Sequence, residues 1–147
     1  MEAFDSERIM EMIPHRPPML LIERVEDIIA GESATGIKTV RPDDMFLQGH
    51  FPGHPVMPGV MIIEAMAQSA AVLAIHSLGA EAEGKIVYFM TISGAKFRRP
   101  VTPGDVLRLE ITVERARKTV WRFAGRATVD GELAAEATFS AMVARGE

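Results

Sequence analysis

The sequence contains no cysteine. That absence excludes a disulfide framework, thiolate zinc sites, iron-sulfur clusters and a cysteine nucleophile, and it suits a reducing compartment. Any chemistry must come from oxygen and nitrogen groups. Positive charge is in short supply as well: sixteen Lys and Arg against twenty Asp and Glu leave a formal net charge of -4. This argues against nucleic-acid binding by phosphate neutralisation, although a local basic patch is compatible with it. Residues 1–5 lack the basic stretch and apolar run of a secretory signal, which predicts a cytoplasmic protein. Residues 56–78 approach transmembrane length, but Glu64, Gln68 and His76 lie among them and Pro58-Gly59 open the segment. The expectation is a helix apolar nearly all round and buried in a core.

The 147 residues fit a single domain, 1–147, which buries roughly 70% of the surface of its unfolded chain. No repeat, linker or low-complexity segment divides it. Residues 6–13 suit a short helix, ended by Pro14-His15-Arg16-Pro17-Pro18 because proline lacks a backbone donor and restricts its predecessor. Residues 20–29 and 33–40 read as two strands joined at Ala30-Gly31-Glu32. A proline- and glycine-punctuated loop fills 41–58. The one long helix spans 59–77, free of proline and rich in helix formers, Ala and Met above all, with Gly79 just past its end. Its repeated alanines permit close approach of a sheet.

Beyond Gly84 the pattern alternates. Leu107, Leu109, Ile111 and Val113 point one way and Arg108, Glu110, Thr112 and Glu114 the other. Trp121, Phe123, Ala127 and Val129 form a matching face, Asp130-Gly131 signals a hairpin, and Leu133, Ala135, Ala137, Phe139, Ala141 and Val143 line a last strand. With a strand over 85–95 the total is two strands, a loop, one buried helix and a four-stranded antiparallel meander. The class is α+β, a curved antiparallel sheet wrapped around one long central helix.

The loop Gln48-Gly49-His50-Phe51-Pro52-Gly53-His54-Pro55-Val56-Met57-Pro58-Gly59 packs two histidines, three prolines and three glycines into twelve positions. Such a composition describes a loop held in one shape against something. Three readings of its histidines stay open. They could ligate a metal, but Pro52 and Pro55 break the helix that their spacing would need and no cysteine completes a zinc set. Both could merely satisfy loop carbonyls. Or one could be a general base, since imidazole titrates near neutrality. Glu64, a turn and a half into an apolar helix, favours the third reading: burial there disfavours an unpaired carboxylate, and a protonated carboxyl can serve as a general acid. The alternative for Glu64 is simple access to solvent at the helix end. Gln68, one turn on, lies where it could orient Glu64. The Gly59 N–H opens the helix without an intrahelical partner and could hold an enolate oxygen. Base, acid and oxyanion donor together suit proton abstraction beside a carbonyl with loss of hydroxide.

The run from His50 to Val60, followed by Glu64-Ala65-Met66-Ala67-Gln68, closely resembles the active-site signature of 3-hydroxyacyl-[acyl-carrier-protein] dehydratases of the FabZ type, which have the hot-dog fold. Ile13-Pro14-His15-Arg16-Pro17-Pro18-Met19-Leu20-Leu21 and the segments around Tyr88-Phe89-Met90 and 96–105 extend the likeness over most of the chain. The resemblance implies that His50 is the catalytic histidine, Glu64 its acidic partner, Gly59 the thioester-carbonyl donor and Gln68 the residue orienting Glu64. Phe51, Val60 and Tyr88 would contact the acyl substrate. It implies no metal or other cofactor. The substrate would ride on the phosphopantetheine arm of acyl carrier protein, and the product would be the trans-2-enoyl thioester. It also implies a homodimer, often gathered into hexamers, in which the histidine and glutamate of one site come from two protomers.

Lys96, Arg98 and Arg99 form a basic cluster suited to receiving the acidic carrier. His54 departs from the family pattern, where another polar residue is common. Bifunctional relatives that also isomerise the product carry Asp and Cys where Glu64 and Val60 stand here, so dehydration alone is expected. The rival enzyme reading is a hot-dog acyl thioesterase. The rival outside catalysis is an acyl-binding module, since fold alone fixes no function.

Overall fold

The computed structural model describes residues 2–144. A short strand β1 (Glu2–Asp5) leads into helix α1 (Ser6–Met12), where the Asp5 carboxylate accepts the Arg8 N–H at 2.9 Å and caps the first turn. Strands β2 (Arg24–Ile29) and β3 (Ser33–Thr39) precede a 3-10 turn at Met45–Leu47. The long helix α2 (Gly59–Leu78) and a second 3-10 turn (Ala80–Ala82) follow. Strands β4 (Val87–Phe97), β5 (Val106–Arg117), β6 (Val120–Val129) and β7 (Glu132–Val143) complete the order. All seven strands are antiparallel in one sheet, ordered β1-β2-β3-β5-β6-β7-β4. This is the expected α+β architecture of one sheet and one central helix.

Three details differ from the sequence reading. Strand β1 was not expected. The meander is β5-β6-β7 alone, because β4 pairs with the outer side of β7 while β3 pairs with β5. Strand β2 starts at Arg24 rather than residue 20: the Leu21 N–H leaves the ladder direction and donates to Gln68 Oε1 at 2.8 Å. The turn at Asp130-Gly131 is as expected, with both residues at positive φ, 49° and 80°, the pairing a tight two-residue hairpin requires.

Helix α2 is buried along most of its length, from Ile62 to Ile75 with few breaks, so a segment apolar and long enough to cross a membrane serves here as core. The expected face of the meander is buried too, Leu107, Leu109, Trp121, Phe123 and Phe139 among its members. Each such side chain contributes roughly 1.5–3 kcal/mol by leaving water. Close approach of helix and sheet depends on glycines in the strands as well as alanines in the helix. A Cβ at Gly125 would stand 2.7 Å from Met66 Sδ, and one at Gly36 would collide with the Ser69 hydroxyl. That hydroxyl, in turn, donates to the Ala65 carbonyl at 2.9 Å and is thereby satisfied in the core.

One strand is not covered. Along β4 nearly every residue is exposed, including Tyr88, Phe89, Met90, Ile92 and Phe97. It is an eleven-residue edge strand with apolar groups in water on both faces.

Candidate active site

The histidine loop is anchored before it begins. Lys38, only 5% exposed on β3, donates to Asp44 at 3.1 Å, and the other Asp44 carboxylate oxygen accepts the Arg41 N–H at 2.8 Å. A ladder of backbone bonds then carries the chain to the histidine: Leu47 N–H to Asp44, then His50 N–H to Leu47 at 3.1 Å. Phe51 and His54 close a tight turn by exchanging backbone hydrogen bonds of 3.1 and 2.9 Å, with Gly53 at φ 72° inside it. Val56 returns to the His50 carbonyl at 2.9 Å, and Met57 ties the loop to Val101 at 2.8 Å. The prolines and glycines of this segment thus hold one shape, as their composition indicates.

His50 is half-buried, and its Nδ1 lies 2.7 Å from the Val56 carbonyl oxygen. A carbonyl only accepts, so Nδ1 carries the proton, and in the neutral ring Nε2 is left as a bare lone pair. One ring nitrogen therefore does satisfy a loop carbonyl, and that bond prepares the other as a base. The Phe51 ring stacks on the imidazole at 4.1 Å.

A cavity of about 630 Å³ opens beside this imidazole. His50, Phe51, His54, Gly59, Val60 and Phe97 are among its walls, with Arg98 and Arg99 beside them. Gly59 is the first residue of α2, and the N-cap Pro58 offers no side chain to it. Among the described residues the Gly59 N–H has no acceptor. The helix start thus brings a free donor into the cavity that holds the base.

Glu64 faces a different space. A small cavity of about 50 Å³ is lined by His15, Glu64, Gln68 and apolar groups that include Phe89 of β4 and Ala141 of β7. Glu64 Oε2 accepts from Gln68 Nε2 at 2.9 Å, one helical turn away. Gln68, 1% exposed, is itself fixed: its Nε2 also donates to the Met19 carbonyl at 2.8 Å and its Oε1 accepts the Leu21 N–H. The orienting contact expected of Gln68 is therefore present. It contacts Glu64 rather than the larger cavity.

Among the described residues of one chain, the cavity beside His50 does not reach Glu64 and the cavity beside Glu64 does not reach His50. Tyr88 reaches neither. Its neighbours Val87 and Phe89 line the glutamate cavity, and strand alternation turns Tyr88 to the opposite face, half exposed. The basic cluster is largely neutralised: Arg98 Nε lies 3.0 Å from Glu136, and Arg99 lies 3.3 Å from Asp105 and 3.7 Å from Glu132. The hydrogen bond from Arg98 holds the Glu136 carboxyl below the usual glutamate range, with Lys96 and Arg126 adding to it through their charge. His15, which the sequence reading quoted without a role, stands 3.7 Å from Glu64. Its only signal was a histidine wedged among prolines after a helix stop.

Comparison with known proteins adds a third line. A family model described as FabA-like domain matches residues 13–138. The chain is 63% identical to the 3-hydroxyacyl-[acyl-carrier-protein] dehydratase FabZ of Gluconacetobacter diazotrophicus over 97% of its length and 88% of that protein. It is 58% identical to the FabZ of Granulibacter bethesdensis, over 96% and 83%. Among solved structures, a chain of the dehydratase heterocomplex ApeI:P from Xenorhabdus doucetiae superposes with a TM-score of 0.80 at 20% identity, covering 93% of this chain and 91% of that one, a likeness of fold.

Proposed function

This chain belongs to the FabA-like domain family as a 3-hydroxyacyl-[acyl-carrier-protein] dehydratase of the FabZ type, acting in fatty acid biosynthesis, and on that footing we propose that His50 and Glu64 carry out the elimination. The observation that carries the proposal is the His50 ring, whose Nδ1 is committed to the Val56 carbonyl so that Nε2 is free as a base.

In the proposed step Nε2 takes the proton from C2 of the (3R)-3-hydroxyacyl thioester. The carbonyl oxygen gains charge and is held by the Gly59 N–H. The C3–O bond breaks, the departing hydroxide takes a proton from Glu64, and water leaves with a C2=C3 double bond in place. The balance involves no change of oxidation state and calls for no electron carrier. Phe51 and Val60 would contact the acyl chain from the walls of the larger cavity. Tyr88 would do so from across an interface. Retention of Glu64 and Val60 supports dehydration without isomerisation, and the cysteine-free composition supports a cytoplasmic setting.

A complete site needs both cavities, which supports a homodimer in which His50 of one protomer meets Glu64 of the other. The exposed apolar strand β4, with Phe89 already on the wall of the glutamate cavity, supplies the surface for that union. A hexamer built of such dimers is compatible with this reading. Acyl carrier protein would deliver the phosphopantetheine arm past Lys96, Arg98 and Arg99.

Mixing experiments test the scheme. His50→Ala and Glu64→Ala should each abolish most turnover of a 3-hydroxyacyl thioester to the enoyl product. Co-refolded together they should recover activity, because each mixed dimer holds one intact site and one doubly defective site. No recovery would refute a site shared between protomers, and near wild-type turnover by either variant would refute its assigned role. Release of free thiol in the same assay would favour the thioesterase reading, and no turnover at all the binding module.

A further inference from the structure

The Glu64 carboxylate is approached twice at the same atom. Gln68 Nε2 donates to Oε2 at 2.9 Å, and His15 Nε2 lies 3.7 Å from that oxygen. Among the described residues Oε1 has no partner. The rest of the cavity wall, from Ala67, Ala71, Val87, Phe89 and Ala141, is apolar. His15 comes from the proline-rich segment after α1, so chain and helix converge here from separate parts of the sequence. Its Nδ1 is buried and, among the described residues, has no hydrogen-bond partner. An N–H at that nitrogen would be stranded without an acceptor, at a cost of about 1–3 kcal/mol. The proton of the neutral ring therefore sits on Nε2, the nitrogen facing Glu64.

We propose that His15 is a positioning residue for Glu64: with Gln68 it occupies Oε2 and leaves Oε1 as the oxygen that carries the proton given to the departing hydroxide. This rests on Glu64 being the acid. When Oε1 loses its proton, negative charge spreads to Oε2, where the Gln68 N–H already donates and the His15 Nε2 stands 3.7 Å away. The 3.7 Å separation tightens as that charge develops, as catalytic hydrogen bonds commonly do on passing from the free enzyme to the transition state. Such a contact is stronger in the transition state than in the ground state, so its loss falls on kcat rather than on KM.

The test compares His15→Phe, which fills the space without a donor, with His15→Gln, which returns an N–H near the place of Nε2. Glu64→Ala runs in parallel. His15→Phe should lower kcat on the order of ten- to a hundred-fold with KM little changed, and His15→Gln should restore most of it. Equal kcat in the two variants, or a loss confined to KM, would overturn the proposal. In the unmutated protein, 15N shifts of the His15 ring should show a protonated Nε2 and a bare Nδ1; the opposite tautomer would overturn it independently of any effect of mutation on folding. Turnover by Glu64→Ala would remove the acid assignment beneath the proposal. An inactive Glu64→Ala beside a wild-type His15→Phe would remove the role of His15 alone.

Discussion

The ring of Phe97 lies so close to Gly59 that a Cβ at position 59 would stand 2.6 Å from its Cε1 and 2.8 Å from its Cδ1. The last residue of β4 thus closes over the first residue of α2, and both line the cavity that contains His50. Here the value of glycine is lack of bulk: the aromatic ring takes the place of a side chain and leaves the N–H bare.

Gly59→Ala should push the Phe97 ring into the cavity. Overpacking of this kind costs about 1–3 kcal/mol, and displacement near the reacting atoms should lower kcat/KM on the order of a hundred-fold. Steady-state kinetics on the purified variant checks this. Unchanged kinetics would mean that the donor and the ring tolerate separation.

Asp44→Ala should destabilise the protein by about 3 kcal/mol, because it strands the buried Lys38 ammonium. Asp44 also fixes the Arg41 N–H at the start of the loop, so turnover should fall under conditions where the variant is still folded. Urea unfolding and activity measured on one preparation decide it. An unaltered midpoint would contradict the account of the anchor.

Acid should loosen the clamp between α1 and the turn after α2. Arg8 donates to both oxygens of Glu83, at 2.8 and 2.6 Å. Those bonds hold the Glu83 carboxyl below the ordinary glutamate range and raise the Arg8 guanidinium. A carboxyl lowered in the folded state favours folding above its unfolded value, and that contribution is lost as pH falls through the folded value. Melting temperature should therefore drop more steeply with acid in the wild type than in Glu83→Gln. Parallel slopes would show that the clamp contributes nothing.

Charge reversal in the basic cluster should depend on the substrate. Arg98 and Arg99 already spend charge on Glu136, Asp105 and Glu132, whereas Lys96 is in no ion pair among the described residues. Lys96→Glu should raise KM for carrier-bound substrate, more so at low salt, and spare small thioester analogues. An equal effect on both substrates would dissociate this surface from the carrier.

Much of this molecule could be anticipated because local signals and tertiary demands coincide. Leu107, Leu109 and Ile111 alternate along a strand that does have one buried face, and α2 is apolar all round because the sheet surrounds it. The misses have physical causes. Glu2–Asp5 is too short and too polar to announce a strand, and it pairs only because β2 offers an edge. Residues 20–23 have strand-like composition, yet Gln68, forty-seven positions away, takes the Leu21 donor. Sheet order depends on which edge β4 selects, and nothing in its own residues encodes that choice. His50 and Glu64 could be singled out as chemical groups. Their separation into two cavities, and the arrival of His15 at the second, arise from packing between distant segments.

The bare outer edge of β4 links the amount of protein to its integrity. Among the described residues its backbone donors and acceptors on that side find no strand, and its side chains meet water on both faces. If a second copy is what covers them, dilution acts as a denaturant: the midpoint of thermal unfolding climbs with protomer concentration, and every protomer newly released from the ribosome carries an adhesive border until it meets its twin.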